Sequence, residues 1–290
     1  MDNQNNQKTL SDAVTCKGVG LHSGEAVCMK IKPAPVNYGI RFIRKDLPDY
    51  PEISSHFSMV IDTTLATVLG NGKGAIVSTI EHLMACFCGL GIDNAIVETN
   101  RYEIPIMDGS AAPFVEAITK VGIVKQDKPK FFFIVNKPII LKKNEQYASI
   151  HPNSSFKITC SIQFDHPLIS KQSYSLEVTP KKFINSIAQA RTFGFFNDIQ
   201  YMKKNGLAKG GSLDNAVVID EKKILNKDGL RFKDEFVRHK VLDCLGDFSL
   251  IGMPIKGHIK VHKSGHAFNR LFLKQIFKEK QSWETKSAPA

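Results

Sequence analysis

Three side chains able to bind metal or carry protons stand along one stripe of a predicted helix. Apolar residues recur at helical spacing through residues 236–248, which predicts an amphipathic helix there. His239, Asp243 and Asp247 stand at i, i+4 and i+8, so one imidazole and two carboxylates share a face. A histidine and an aspartate at this spacing can reach one metal ion. Because solvated His/Asp pairs are also common on helices, further ligands must come from elsewhere in the chain.

The composition is that of a globular protein with excess positive charge. Of 290 residues, 42% are hydrophobic and 23% are charged. No apolar run approaches the roughly 20 residues that a membrane-spanning helix needs. Residues 1–7 are polar, so we expect no signal peptide, a cytoplasmic location and reduced cysteines. The net charge of +11 favours anionic partners, namely nucleic acid, an acidic membrane face or a phosphorylated substrate.

Strand and helix signals divide the chain into two parts. Residues 1–126 alternate short strands with two helical segments and are predicted to form the first α+β domain. The polar, proline-containing stretch 125–130 is predicted to be the linker. Residues 127–290 are predicted to form the second domain, in which a glycine-rich segment at about 191–232 is an irregular insertion.

A faint repeat relates the two parts. His82 precedes Gly109 by 27 residues, and His239 precedes Gly265 by 26. Each interval runs helix, glycine, strand, polar turn, helix. We therefore predict an α+β fold of two related domains, each a mainly antiparallel sheet with two helices, in which the helices pack between the sheets as a sandwich.

The repeat places His82 on a helix equivalent to that of His239. If these helices pack face to face, His82, His239 and Asp243 meet, and three protein ligands with an open position are the layout of a catalytic zinc site. Glu81 adjoins His82 but points about 100° away around the helix, which suits a proton acceptor beside the metal. The residues leave an alternative open, because Ser78 and Glu81 also have the spacing of a capping box.

Other residues able to do chemistry have plainer alternatives. His266 follows Gly265 at a turn into a helix, where it is either a surface residue or a general acid held by a carboxylate such as Asp247. Thr192 alone is a β-branched residue at a helix end. Lys240 alone is a solvated helix lysine.

Seven motifs occur in the same order in one known family of enzymes. They are GVGLHSG (18–24), STIEHL (78–83), GLGIDN (89–94), EIPIMDGSAAPF (103–114), ARTFGF (190–195), DEFVRHKVLD (234–243) and KSGHA (263–267). On these motifs the chain resembles the UDP-3-O-acyl-N-acetylglucosamine deacetylases, the zinc amidases that commit a sugar nucleotide to lipid A synthesis. The resemblance extends from near residue 15 to near residue 285.

The resemblance implies a zinc centre and the base that serves it. On the matching positions, His82, His239 and Asp243 bind Zn²⁺, and Glu81 activates the zinc-bound water. Such a metal polarises the acetamide carbonyl and lowers the pKa of its water toward about 7.

The resemblance also implies the remaining catalytic roles. His266 matches the acid that protonates the leaving amine, steadied by Asp247. Thr192 and Lys240 match positions that stabilise the oxyanion and the bound substrate.

An acylated UDP-sugar is the substrate that the resemblance implies. His22, Lys240 and Lys263 would face the diphosphate, Phe164 would stack on uracil, and the insertion would form an apolar passage for the acyl chain. The predicted substrate contacts are Leu21, His22, Phe164, Phe193, Gly211, Ser212, Lys240 and Lys263.

Two other functions are compatible with some of these residues. Another metal-dependent amidohydrolase could use the same ligands, with iron in place of zinc. A basic nucleic-acid-binding protein is disfavoured by the lack of a recognisable motif and by little interleaving of aromatic and basic residues. We therefore expect a monomer without a nucleic-acid partner that makes peripheral contact with the inner membrane surface.

Overall fold

The structure is a computed structural model that describes residues 5–288. The polar start on which the signal-peptide prediction rests lies partly outside this range, at residues 1–4. Within 5–288, no helix combines the length and the apolar character that crossing a bilayer requires.

The first half is built on a five-stranded sheet and two helices. Alternating buried and exposed side chains give each long strand one face toward the core. Its elements are β1 (Asn6–Leu10), β2 (Val14–Val19), β3 (Ala26–Pro33), β4 (Ile40–Arg44), β5 (Glu52–Ser54), β6 (Val60–Asp62), β7 (Val68–Gly70), β8 (Ile76–Val77), α1 (Glu81–Leu90), β9 (Ala95–Thr99) and α2 (Ala112–Val121). The five-stranded sheet has the order β2-β3-β9-β4-β5, and β6, β7 and β8 form a smaller sheet.

The second half is built on a seven-stranded sheet and two long helices. Its elements are β10 (Ile123–Pro129), β11 (Phe131–Val135), β12 (Ile139–Lys143), β13 (Gln146–His151), β14 (Phe156–Gln163), β15 (Lys171–Glu177), α3 (Pro180–Ser186), β16 (Phe193–Phe195), α4 (Phe196–Lys204), β17 (Val217–Ile219), α5 (Glu235–Ser249), β18 (Ile255–His262), α6 (His266–Lys278) and β19 (Trp283–Ser287). The main path of the sheet is β12-β13-β18-β11-β19, and β14 joins it beside β18.

The two halves share one connectivity around their sites. In the first half, β9 pairs antiparallel with β3 and parallel with β4, between helices α1 and α2. In the second half, β18 pairs antiparallel with β13 and parallel with β14, between helices α5 and α6. The repeat predicted from the histidine spacing therefore corresponds to a repeated supersecondary unit.

The helices form the inner layers of the molecule. Helix α2 packs on β2, α6 packs on β12 and β13, α5 packs on β14, and α1 and α5 pack on each other. Buried apolar side chains from both halves form one continuous core. This arrangement confirms the predicted α+β sandwich with helices between the sheets.

Helices α1 and α5 approach to backbone contact. A Cβ atom placed on Gly246 would lie 2.1 Å from the carbonyl oxygen of Glu81, so only glycine fits there. Because α1 begins at Glu81, its first turn lies against the middle of α5.

The predicted linker is wrong. Residues 125–129 belong to strand β10, which pairs antiparallel with β1, and Lys130 is buried with its Nζ 2.7 Å from Asp93 Oδ2. The charges face outward from a two-stranded ribbon, and Pro129 stands at the strand end, where a missing N–H is tolerated. The domain boundary at 126/127 stays a prediction.

The predicted irregular insertion contains regular structure. Strands β16 and β17 pair in parallel, and α4 lies between them along the chain. The helix predicted from Pro180 to about Ala190 ends at Ser186. It ends early because the following backbone makes tertiary contacts, including a hydrogen bond from Ala111 N to Ala188 O (2.9 Å).

Replacing Gly246 with alanine should destabilise the protein, because the added methyl group forces α1 and α5 apart. We expect a loss of about 2 kcal/mol in the free energy of unfolding, measured by urea denaturation. The control is Gly265→Ala, since a Cβ there would meet no atom within 4 Å. Equal stability of the two variants would contradict the proposed contact.

Candidate metal and catalytic site

The contact between α1 and α5 brings the three predicted metal ligands together. One donor atom from each of His82, His239 and Asp243 lies within 4.8 Å of the other two. Nε2 of His239 is 3.3 Å from Asp243 Oδ1, and Nε2 of His82 is 3.7 Å from the same oxygen. Donors at 2.0–2.1 Å around a tetrahedral zinc lie about 3.3 Å apart, so the residues fit such an ion.

All three ligands are buried, and the protonation states of His239 and Asp243 suit metal binding. Nδ1 of His239 donates to the Ala190 carbonyl oxygen at 3.0 Å, which leaves Nε2 as the donor atom. Burial lowers the pKa of His239 to about 4, so the imidazole is neutral at pH 7. Burial alone would raise the pKa of Asp243, but His239 and Lys240 hold it well below its usual range.

Glu81 lies beside the ligands rather than among them. Its side chain is buried, and Oε2 accepts a hydrogen bond from Thr67 N at 3.1 Å. Burial raises the pKa of the Glu81 carboxyl, although His266 and His82 oppose the shift. A carboxylate with a raised pKa is suited to accept a proton.

The alternative capping-box role of Glu81 is wrong. Helix α1 begins at Glu81, Ile80 is its N-cap residue, and no side chain caps it. Thr79 has a φ of 60°, and this left-handed turn separates Ser78 from the helix. Ser78 instead pairs with the segment around Glu103, with its carbonyl oxygen accepting from Ile104 N at 3.0 Å.

His266 is held beside Glu81 by a carboxylate, as predicted for a general acid. Its Nδ1 is 2.8 Å from Asp247 Oδ2, and its Nε2 is 3.8 Å from Glu81 Oε1. Asp247 also accepts from Asn269 Nδ2 at 2.7 Å and from Thr67 Oγ1 at 2.6 Å. Burial would lower the pKa of His266, but Asp247 and Glu81 outweigh it and raise the pKa to about 10. The imidazole is therefore charged and can donate a proton.

Lys240 is tied to the site rather than freely solvated. Its Nζ lies 2.8 Å from Asp243 Oδ2 and 5.6 Å from the centroid of the Phe193 ring. Burial lowers the pKa of Lys240, but the charge of Asp243 outweighs this effect and raises it. A permanent cation thus stands next to the metal ligands.

An apolar cavity of about 240 Å³ adjoins the site. Six of the predicted residues line it, namely Leu21, His22, Thr192, Phe193, Gly211 and Ser212. A larger groove of about 910 Å³ opens where α1 and α5 end, and none of the three metal ligands lines it. None of these ligands lines the smaller cavity either, but Phe193 in its wall has its ring centroid 6.2 Å from that of His239, so the smaller cavity is the one connected with the candidate chemistry.

Backbone contacts fix the cavity residues. Thr192 N donates to Gly109 O, and Thr192 O accepts from Val217 N, both at 2.8 Å. The backbone N–H groups of His22 and Ser23 donate to the buried carboxylate of Glu103, at 2.9 and 2.8 Å.

Three predicted substrate residues lie outside the cavity lining, namely Phe164, Lys240 and Lys263. Phe164 packs against Phe193 and Phe195, with ring centroids about 6 Å apart. Lys263 directs its Nζ to the exposed Glu145 at 2.9 Å. The structure thus places Phe164 beside the cavity wall and engages Lys263 elsewhere.

A buried ion pair between Arg191 and Glu235 fixes the backbone that orients His239 and carries Thr192. Glu235 is fully buried and accepts from Arg191 N (3.0 Å), Nε (2.9 Å) and Nη2 (3.1 Å). Since Arg191 lies between Ala190 and Thr192, the pair fixes the carbonyl that orients His239 and the backbone that carries Thr192. Glu235 and Arg191 were missed because they lie 44 residues apart, too far for a spacing rule, although each stands in one of the seven motifs.

Thr67, Asn269 and Glu103 were also missed. Each lies far along the chain from the groups that it contacts, so no spacing rule connects them. Glu103 falls within one of the seven motifs, and its position there is the signal that could have found it.

A buried set of two imidazoles and a carboxylate, flanked by a proton acceptor and a charged histidine, defines a metal-dependent hydrolase. The model of one protein family, described as LpxC, UDP-3-O-acyl N-acetylglycosamine deacetylase, matches residues 7–278. The chain belongs to this family.

Curated relatives agree with the family match. Proteins named UDP-3-O-acyl-N-acetylglucosamine deacetylase from Syntrophus aciditrophicus and Myxococcus xanthus are 48% and 47% identical to this chain. The alignments cover 97% and 96% of this chain and 89% and 88% of the relatives. A relative of the same name from Mannheimia succiniciproducens is 45% identical over 96% of this chain and 92% of its own length.

Replacing Glu235 with glutamine should leave the buried Arg191 without its counter-charge. We expect a loss of about 3 kcal/mol in the unfolding free energy of the metal-free protein, and about tenfold weaker metal binding in competition with a chelating dye. Glu98→Gln, which breaks the more exposed pair with Lys32, should cost under about 1 kcal/mol. Unchanged metal affinity would contradict the supporting role.

Proposed function

We propose that this chain hydrolyses the N-acetyl group of UDP-3-O-acyl-N-acetylglucosamine with zinc, giving UDP-3-O-acyl-glucosamine and acetate. This reaction is the committed step of lipid A biosynthesis. The observation that carries the proposal is the convergence of His82, His239 and Asp243 beside Glu81 and His266, in a chain of this family. The names of the curated relatives support the same substrate.

Zinc suits the donor set and the reaction. Two imidazoles and one carboxylate, from His82, His239 and Asp243, would hold the ion, and this donor set is one that catalytic zinc uses. When bound there, zinc would polarise the acetamide carbonyl and supply a water of lowered pKa. Iron on the same ligands is the second candidate, because two histidines and a carboxylate suit it too.

Glu81 and His266 divide the proton transfers between them. Glu81 would take a proton from the attacking water, since its raised pKa brings it toward the operating range. Thr67 N holds Oε2 of Glu81, so Oε1 remains for this task. His266, charged through Asp247, would give a proton to the leaving nitrogen of the amine.

Lys240 and Thr192 would stabilise the charge that develops on the carbonyl oxygen. The Lys240 ammonium lies beside the metal ligands, and the Thr192 hydroxyl is a donor at the cavity wall. Fixed donors of this kind lower the barrier because they need no reorganisation during the reaction. The ion pair between Arg191 and Glu235 keeps Thr192 in place.

The apolar cavity would hold the 3-O-acyl chain. Phe193, Gly211 and Ser212 line it, and Leu21 and His22 close one side. The uracil and diphosphate would lie toward Phe164 and Lys263. To bind the diphosphate, Lys263 would have to break its ion pair with the exposed Glu145.

The remaining partner assignments are predictions of the same proposal. For an enzyme on an acylated sugar nucleotide we expect a monomer in the cytoplasm, without nucleic acid, that makes peripheral contact with the inner membrane surface. The alternative of a nucleic-acid-binding protein predicts tight, salt-dependent binding to random RNA or DNA, which a salt titration measures.

Glu81→Ala and His266→Ala should each lower deacetylation by roughly 10²-fold or more, because each removes one proton-transfer group. Acetate release from the acylated UDP-sugar is the measurement, with metal content determined on the same sample. Glu116→Ala and His151→Ala remove the same residue types away from the site and should leave the rate unchanged. Full turnover in either site variant, with metal present, would remove that residue from the mechanism.

His239→Ala should weaken metal retention, since it deletes one of three donors. Equilibrium dialysis followed by metal analysis should show a substoichiometric ion in this variant and one ion per chain in the unmodified protein. If the variant kept a full equivalent of zinc, His239 would not be a ligand.

A further inference from the structure

The segment around the cavity opening exposes several large apolar side chains. We call residues 196–213 the cavity rim; it contains α4 and the turn that follows. None of the α4 residues is buried, and Tyr201 is 71% exposed. Phe196, Leu207 and Leu213 are 39%, 36% and 47% exposed. Leaving these side chains in water is unfavourable in the isolated molecule, so the cavity rim has the character of a contact surface.

The exposed side chains mark the mouth of the cavity. Phe196 and Leu213 line the cavity and are also exposed, so they lie where it opens to solvent. Ile199 and Met202 of α4 also line the cavity and are less exposed. Helix α4 therefore directs one apolar face into the cavity and leaves other apolar side chains outside it.

Positive charge surrounds the same mouth. Lys203, Lys204 and Lys209 are exposed on the cavity rim, whereas Asp198 is the one acidic residue in it. Lysine carries its charge on a long apolar stem, so it can reach phosphate groups while its stem lies among apolar groups. Lysines interspersed with aromatic and aliphatic side chains are typical of surfaces that lie at a membrane interface.

We propose that the cavity rim docks on an anionic lipid bilayer. Tyr201 and Leu207 enter the boundary between head groups and acyl chains, and Lys204 and Lys209 contact the lipid phosphates. Along the chain, lysines alternate with the exposed apolar side chains, and this interleaving fits a bilayer interface better than a protein surface. The benefit of docking rests on the proposed function, because a docked cavity rim would let the acyl chain of the substrate pass from the bilayer into the cavity without crossing water.

The rest of the chain offers a matched control surface. The outer face of the seven-stranded sheet also exposes lysines, including Lys142 and Lys260. Their cross-strand neighbours are the polar Tyr147, Ser149 and Thr159, and one exposed apolar side chain, Ile140, lies on the same face. If charge alone were sufficient, these lysines would matter as much as those of the cavity rim.

Co-sedimentation of the metal-loaded full chain with vesicles, without substrate, tests the proposal. We expect binding to vesicles that contain phosphatidylglycerol and much weaker binding to phosphatidylcholine alone. Lys204→Gln with Lys209→Gln should weaken binding about 30-fold, because each lysine at an anionic bilayer contributes a factor of about five. Tyr201→Ser with Leu207→Ser should weaken it about tenfold. These four residues do not line the cavity.

Matched variants decide the outcome. Lys142→Gln with Lys260→Gln changes the charge equally and should reduce binding far less, and the exposed Tyr50→Ser should leave it unchanged. Equal losses in both lysine pairs, equal binding to both vesicle types, or no vesicle binding would overturn the proposal. The last result would point to a protein as the partner of the cavity rim. Because no turnover is measured, failure here is distinct from failure of the proposed deacetylation.

Discussion

The site depends on one steric constraint, the backbone contact between Gly246 of α5 and Glu81 of α1. His82 comes from the first half, whereas His239 and Asp243 come from the second, so neither half contains a complete ligand set. An ordinary side chain at position 246 would hold the two helices, and with them the donor atoms, farther apart. The connectivity shared by the two halves explains how such a contact arises, because each half contributes an equivalent helix to the interface.

Burial and pairing together set the charges around this contact. Burial outweighs the nearby Asp243 carboxylate and keeps His239 neutral, whereas the carboxylates of Asp247 and Glu81 outweigh burial at His266 and keep it charged. His239 in α5 and His266 at the start of α6 thus have opposite protonation states at pH 7. Thr67 donates to both Glu81 and Asp247. It thus connects Glu81, the proton acceptor, with Asp247, the carboxylate that keeps His266 charged.

The sequence predicted those features that depend on residues close together along the chain. Helical spacing identified α5, and the spacing of His82 and His239 revealed the repeated unit, so the ligand set could be assembled before the structure was known. The predicted linker was wrong because the pairing of β10 with β1 depends on residues over a hundred positions apart. Glu235 and Thr67 were missed for the same reason: their partners are set by the tertiary fold. Roles drawn from the family resemblance remain predictions where geometry alone does not test them.

The hydrogen bond from His239 to the carbonyl of Ala190 has a consequence for sequence variation. Every residue has a main-chain carbonyl, so a substitution at position 190 changes the side chain but keeps this acceptor. The orientation of His239 therefore does not depend on the side chain at position 190. Ala190 is fully buried, so substitutions there are limited by volume rather than by chemistry. Substitutions at its neighbour Arg191 or at Glu235, which hold this backbone in place, should therefore disturb the orientation of His239 more than a substitution of Ala190 that preserves its volume.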